Sequence, residues 1–274
     1  MAFNWKTFWT RATTALIFVA VMMVGLLWNQ LSFFILFSII HLGCWLEYQR
    51  LITAIDPEYA NINIVHRYAV IAAGWFFMIY CSQLPFHALG WWLCLLCIFL
   101  LPIIELLFAR QIELKQIMHS FFGLLYISLS WGLMLLLRSH PTYGFVLPLA
   151  IIFTIWINDT MAYIVGSLIG RTPFSAISPK KTWEGTIGGM LIAIGAMTGL
   201  AYWLHYPVLH TAAIAAIAAI TGTYGDLLES KLKRMAGVKD SGQIMPGHGG
   251  FLDRFDSLLV ATTAVWVYVV VARL

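Results

Sequence analysis

Asp226, Glu229, Lys231, Lys233, Arg234, Lys239, Asp240, Asp253, Arg254 and Asp256 fall within one stretch, DLLESKLKRMAGVKDSGQIMPGHGGFLDRFD. They are ten of the 28 charged side chains in a chain of 274 residues. Asp226 and Glu229 are three apart, which on a helix sets them on one face, and Asp253 and Asp256 repeat that spacing. Carboxylates gathered this way suit a hard cation such as Mg²⁺, which takes a few oxygen ligands and leaves room for substrate phosphates. The interleaved cations suit the phosphates themselves, Arg as a bidentate fork and Lys as a point charge. The same pattern also reads as a set of salt bridges, and spacing alone leaves both readings open.

A second polar segment, GRTPFSAISPKKTWEGTIGG (170–189), adds Lys180 and Lys181. The turn PGHGG (246–250) has glycines, Gly249 and Gly250 among them, that let backbone N–H groups approach an anion. It is no Walker loop, because GxxxxGK[ST] is absent. His248 in that turn suits a hydrogen bond to phosphate, a proton shuttle or a structural contact. Asp159, in WINDTMAY, lies in an apolar run, and an intramembrane carboxylate usually faces a cavity and a partner. Tyr163 shares its face. Gly166 and Gly170 read as helix packing, and Glu105, beside Pro102, as a carboxylate that is structural or near the inner interface.

The elements that must carry these residues are bilayer-spanning helices. The chain is 61% hydrophobic and 10% charged, where a soluble domain carries about 25% charged residues, and its mean hydropathy is +0.85. Nine apolar runs of spanning length are predicted near 12–28, 31–48, 68–82, 91–108, 121–138, 145–166, 185–204, 211–229 and 257–273. The fold class expected is therefore all-α, a polytopic integral membrane protein. Its first run reads as a retained helix rather than a cleaved signal. Pro102 and Pro148 should kink their spans. Cys44, Cys81, Cys94 and Cys97 lie in apolar runs and suggest no disulfide framework. We divide the chain into residues 1–144, a scaffold of transmembrane helices with possible dimer contacts, and 145–274, a catalytic region with loops 170–185 and 229–256.

Orientation follows from the basic residues. With the N-terminus inside, 14 of the 16 fall in inner segments and only Arg138 and Arg273 lie outside. This places the polar loops at the cytoplasmic face of a cell's inner (plasma) membrane, where a basic surface attracts anionic membrane lipids. A transporter or channel is the competing class. It predicts charges near the bilayer midplane and paired repeats, whereas these charges gather at one face and no repeat is visible.

The residues also match a known pattern. Ser230-x-Leu232-Lys233-Arg234, then Lys239-Asp240-x-Gly242, then Pro246-x-His248-Gly249-Gly250-x-x-Asp253-Arg254-x-Asp256 resembles the signature of phosphatidate cytidylyltransferases, the CDP-diacylglycerol synthases. Gly225-Asp226 with Glu229-Ser230 is similar to that family's GDxxES. Ser178-Pro179-Lys180-Lys181-Thr182 with Glu184-Gly185 is similar to its SPKKTxEG, and Asp159 with Ala162, Tyr163 and Gly166 to its DxxAYxxG. The motifs run from about residue 158 to 257. The first half matches only in hydrophobicity and in echoes such as WLEYQRL, 45–51.

The resemblance implies that phosphatidic acid attacks the α-phosphorus of CTP, giving CDP-diacylglycerol and pyrophosphate for phospholipid synthesis. It implies a need for Mg²⁺, with K⁺ in some members, and a homodimer; no nucleic-acid partner is expected. Sister enzymes acting on ether lipids or polyprenols keep only parts of the signature. By motif position, Asp226 and Asp253 and then Asp256 are expected to hold the metal. The catalytic set is Asp226, Lys239, Asp240, His248, Asp253 and Arg254. Ser178, Lys180, Lys181, Lys233, Arg234, Lys239, Gly249 and Gly250 are expected on phosphate, and Asp159, Tyr163, Glu229 and Ser230 are expected to line the chamber.

Overall fold

The computed structural model describes residues 5–108, 114–243 and 249–274. Among the described residues there is no strand, and the long helices are α1 (Trp5–Leu27), α2 (Gln30–Ile55), α3 (Ile64–Cys81), α4 (His87–Phe108), α5 (Leu114–Arg138), α6 (Val146–Ile169), α7 (Trp183–Trp203), α8 (Val208–Met235) and α9 (Leu252–Val271). Each overlaps one predicted apolar run. Helices α2 to α9 are long and apolar enough to cross a membrane. Much of their apolar surface is exposed, Trp92, Phe99, Leu107 and Leu191 among it, and a surface of that kind requires lipid around it. The protein is an all-α, polytopic membrane protein.

Local chemistry sets several helix ends. Asn29 caps α2, accepting the Ser32 N–H at 2.7 Å while Ser32 Oγ accepts the Asn29 N–H at 3.0 Å. This reciprocal pair makes the α1–α2 link a tight hairpin. Pro102 lies inside α4. Pro148, expected to kink its span, stands instead in the first turn of α6, where its missing N–H costs no helical hydrogen bond. Helix α5 runs through a π-turn at Leu124–Leu129. There Ser128 Oγ accepts the Trp45 indole N–H at 2.9 Å and meets His41 Nε2 at 2.9 Å.

The chain forms two compact units. The first comprises 1–139 and 235–254, so it takes the segment after α8 from the C-terminal half; the second comprises 140–234 and 255–274. In the first unit α2 packs against α1, α3 and α5, and α3 against α4 and α5. Its core includes Phe33, Phe37, Trp45, Tyr48 and Trp131. At one end of this unit Glu105 pairs with His66 (2.7 Å), and His66 Nε2 meets Ser120 Oγ (3.0 Å). Nearby in sequence, Asp56 takes Lys115 at 2.9 Å and His119 at 3.2 Å. The Lys115 ammonium, with His119 beside it, holds the Asp56 carboxyl below its ordinary value. Cys44, Cys81, Cys94 and Cys97 are free thiols within helices.

In the second unit small residues bring helix backbones together. A Cβ on Gly185 would stand 2.7 Å from the Ala162 carbonyl, and one on Gly189 would stand 2.7 Å from the Asn158 carbonyl, so α6 and α7 meet along a Gly/Ala seam. Gly225 does the same for α8 against α9: a Cβ there would lie 2.5 Å from the Asp256 carbonyl and 3.0 Å from Ser257 Cα. An apolar cavity of about 260 Å³ in this unit is lined by Phe145, Leu149, Phe153, Leu200, Tyr206 and Ile214 among others. Along α8 it lies twelve residues from Asp226, roughly 18 Å at helical rise, and so takes no part in the polar site.

Candidate active site

The close approach at Gly225 decides the geometry, because the next residue on α8 is Asp226 and the residue it abuts on α9 is Asp256. One turn further along α8, Glu229 is fully buried. Ligand oxygens of Asp226, Glu229 and Asp256 all lie within 4.8 Å of one another. The Asp226 and Asp256 carboxyl groups are close enough to interact directly. Two carboxyl groups this close need a proton or a cation between them.

Two lysines face the group. Lys233 pairs with Glu229 one helical turn away, and Lys181 pairs with Asp226. The loop before α7 aims Lys181. Phe174 N–H donates to the Lys181 carbonyl (2.8 Å) and Trp183 N–H to the Thr172 carbonyl (2.9 Å), tying its two sides together. The Phe174 and Trp183 rings meet edge to face. Glu184 clamps the entry, accepting the N–H of Arg171 at 3.1 Å and the hydroxyl of Thr172 at 2.8 Å. Thr182 caps α7, accepting the Gly185 N–H at 3.2 Å. Asp159 on α6 lies within electrostatic reach of both Lys181 and Asp226.

The donor set fits a divalent cation. When ionised, the three carboxylates outnumber the two lysines, and Asp159 adds a fourth. All the oxygens are hard donors, and Glu229 and Asp256 are shielded from water, the setting in which a bound Mg²⁺ keeps positions for phosphate.

Asp253 is held differently. Its Oδ2 accepts the N–H groups of Ser241 (2.9 Å) and Gly250 (2.8 Å). Ser241 Oγ stands 2.9 Å from Asp253 and 2.7 Å from Glu47, a carboxylate on α2. Glu47 also accepts the N–H groups of Phe251 (2.9 Å) and Leu252 (2.8 Å). Gly249 adopts φ +79°, a left-handed conformation that suits glycine.

The profile of the Cytidylyltransferase family matches residues 9–272. The chain belongs to this family. It is 36% identical over 170 residues to the phosphatidate cytidylyltransferase of Aquifex aeolicus (strain VF5), covering 61% of this chain and 63% of that one. It is 41% identical over 138 residues to the phosphatidate cytidylyltransferase of Bacillus subtilis (strain 168), covering 49% and 51%. The chloroplastic phosphatidate cytidylyltransferase 4 of Arabidopsis thaliana is 33% identical over 205 residues, 74% of this chain and 46% of that protein. The chain thus spans about half the length of the curated relatives it matches.

Within this member of the family, the residues singled out from sequence fall into distinct settings. Asp226, Glu229 and Asp256 come together, with Lys181, Lys233 and Asp159 around them. Glu229 stands among the carboxylates, and Lys233 is engaged by Glu229. Ser178 and Lys180 lie at the tip of the loop, where the Ser178 carbonyl accepts the Lys181 N–H at 3.0 Å. Lys180, Arg234, Lys239, Asp240 and Arg254 are exposed, Ser230 is half-buried, and Tyr163 is 78% exposed. Gly249 and Gly250 line the turn that meets Asp253. His248 lies outside the described residues. Sequence reasoning passed over Glu47 and Ser241. Glu47 carried a signal, a carboxylate in an apolar run inside WLEYQRL.

Proposed function

We propose that the protein transfers CMP from CTP to phosphatidic acid, giving CDP-diacylglycerol and pyrophosphate. The observation that carries this reading is the Lys181–Asp226 pair joined to Glu229 and Asp256, in a chain whose family relatives carry that enzyme's name. In the reaction an oxygen of the lipid phosphomonoester forms a bond to the α-phosphorus of CTP, and the bond to the β-phosphate oxygen breaks. A phosphomonoester has its second pKa near 6, so the nucleophile is already largely anionic at neutral pH. The enzyme therefore needs no strong base; it has to bring two polyanions together.

Asp226, Glu229 and Asp256 are the residues that would hold Mg²⁺. When bound, the ion supplies neutralisation of phosphate charge. The chain's own cations do the rest. Lys181, tethered by its loop, exchanges its carboxylate partner for a CTP phosphate, and Lys180 at the exposed tip meets the pyrophosphate end. Arg234, exposed near the end of α8, attracts the phosphates from solution. Asp159 limits how far Lys181 swings. We further propose that these groups face the cytoplasm at the inner (plasma) membrane, as the basic-residue asymmetry supports, with CTP arriving from water and the lipid's chains remaining in the bilayer. A homodimer and a K⁺ ion belong to the same proposal.

The test is purified full-length protein in mixed micelles with phosphatidic acid, CTP and Mg²⁺. CDP-diacylglycerol and pyrophosphate are expected in equal amounts, abolished by EDTA and restored by added Mg²⁺. Product formation unaffected by chelation would remove the metal from the proposal.

A further inference from the structure

We infer that Glu47, on α2 in the N-terminal half, is a positioning residue for the glycine turn and for Asp253. The catalytic part of this inference rests on the cytidylyltransferase reading; the structural part does not. Glu47 is only 1% exposed, and three donors converge on it: the N–H groups of Phe251 and Leu252 and the hydroxyl of Ser241. The first N–H groups of a helix have no partner within the helix. At the start of α9 a carboxylate from far away in the chain satisfies them, and its charge suits the positive end of the helix dipole.

The surrounding residues are shaped around this carboxylate. A Cβ on Gly250 would lie 2.5 Å from Glu47 Cδ, and one on Gly242 would lie 2.7 Å from the same atom. Two glycines of the sequence signature therefore owe their lack of a side chain to Glu47. One turn earlier on α2, Gly43 makes room for the Phe251 ring, since a Cβ there would stand 2.6 Å from Phe251 Cε2. Helix α2 thus offers a seat, Gly43 for the ring and Glu47 for the backbone, that holds the turn at 249–252. Ser241 Oγ has one proton, which serves Glu47 or Asp253 but not both at once. Through it, and through Gly250, the position of Asp253 depends on Glu47. Helix α9 then carries Asp256 one turn further on.

The chemistry demands a carboxylate. Gln would direct an amide N–H at groups that are themselves donors, and Asp falls one methylene short. Hydrogen–deuterium exchange by mass spectrometry on the full-length protein, read together with CMP transfer, tests the inference. In Glu47→Gln, exchange at 249–254 should rise while α6 and α7 stay protected, and kcat should fall roughly 10- to 100-fold, as for residues that orient ligands from behind. Ser241→Ala, which removes one donor only, should fall between this variant and wild type. Gly250→Ala should resemble Glu47→Gln, and Glu47→Ala/Gly250→Ala should be no worse than Glu47→Ala, because the collision partner is gone. Unchanged exchange in Glu47→Gln, raised exchange with unchanged turnover, or additive losses in the double variant would each overturn the assignment. A wild-type protein without CMP transfer would sink the enzymatic reading and leave the exchange data to decide the seat.

Discussion

Replacing Asp256 by Asn separates a metal site from a set of ion pairs, because the two accounts predict opposite signs. In the metal-free protein an ionised Asp256 would face the charges of Asp226 and Glu229 across no more than 4.8 Å unless a proton is taken up between them. At an effective dielectric of about 20, each such repulsion amounts to roughly 3 kcal/mol before the lysines screen it. The neutral amide relieves it, so without Mg²⁺ the Asp256→Asn variant should unfold at the same temperature as wild type or higher. With Mg²⁺ the order reverses. Loss of a direct ligand should weaken the ion at least as much as loss of a supporting residue, up to about 100-fold, or about 2.8 kcal/mol. At a Mg²⁺ concentration 100 times the wild-type Kd, binding stabilises wild type by about 2.7 kcal/mol. The same concentration then only equals the variant's Kd, and its stabilisation shrinks to about 0.4 kcal/mol. Thermal unfolding of the purified protein across a Mg²⁺ titration, with turnover measured in parallel, reads all of this. A variant that is less stable without Mg²⁺, in a protein whose wild type gains nothing from the ion, would refute the metal site and leave ion pairs in its place.

Other predictions follow from the same geometry. Lys181→Ala should lower kcat/KM for CTP by roughly 100-fold, the scale of a lost charge-stabilising donor, with Lys181→Arg recovering part; equal activity in all three would remove Lys181 from the site. Gly225→Ala drives a methyl against the Asp256 backbone and should cost about 1–3 kcal/mol of stability as overpacking does, together with most of the turnover, measured by unfolding and assay on one preparation. Glu105→Ala leaves the buried His66 Nδ1 without its partner and should destabilise by about 1–3 kcal/mol, with turnover per folded molecule unchanged. Asp56, held below its ordinary value chiefly by Lys115, contributes stability that is present above about pH 4, its unfolded value, and is lost as pH falls through its folded value. Wild type and Asp56→Asn should therefore differ in unfolding midpoint at pH 7 and converge in acid; a constant gap would contradict the pairing.

The helices were legible because each is a long apolar run, and their ends less so because polar residues at a helix end carry no hydropathy. The apolar run of α9 starts at 257 while the helix begins at Leu252, since Asp253, Arg254 and Asp256 occupy its first turns. Helix α8 was expected to end at 229 and runs to Met235, with Glu229 and Lys233 buried along it. The Asp226/Glu229 face was legible from spacing, but the Glu229–Lys233 pair, an i,i+4 combination, lay beyond the apolar run that marked the helix. That Asp256 would join them depends on Gly225 admitting the α9 backbone, a tertiary contact with no local trace. Asp253, with the same spacing, is claimed by Ser241 and Gly250 instead. Glu47 lies 194 residues from Ser241, beyond any periodicity. Its only mark in the sequence was a charge where a bilayer helix disfavours one.

The most direct test of the central claim follows the atoms. Purified full-length protein, given CTP labelled at the α-phosphorus, phosphatidic acid and Mg²⁺, should place the label in CDP-diacylglycerol and release unlabelled pyrophosphate in equal amount. Asp226→Asn and Asp256→Asn, verified as folded, should do neither. Label that stays out of the lipid, under conditions where a family relative assayed in parallel transfers it, would contradict the account.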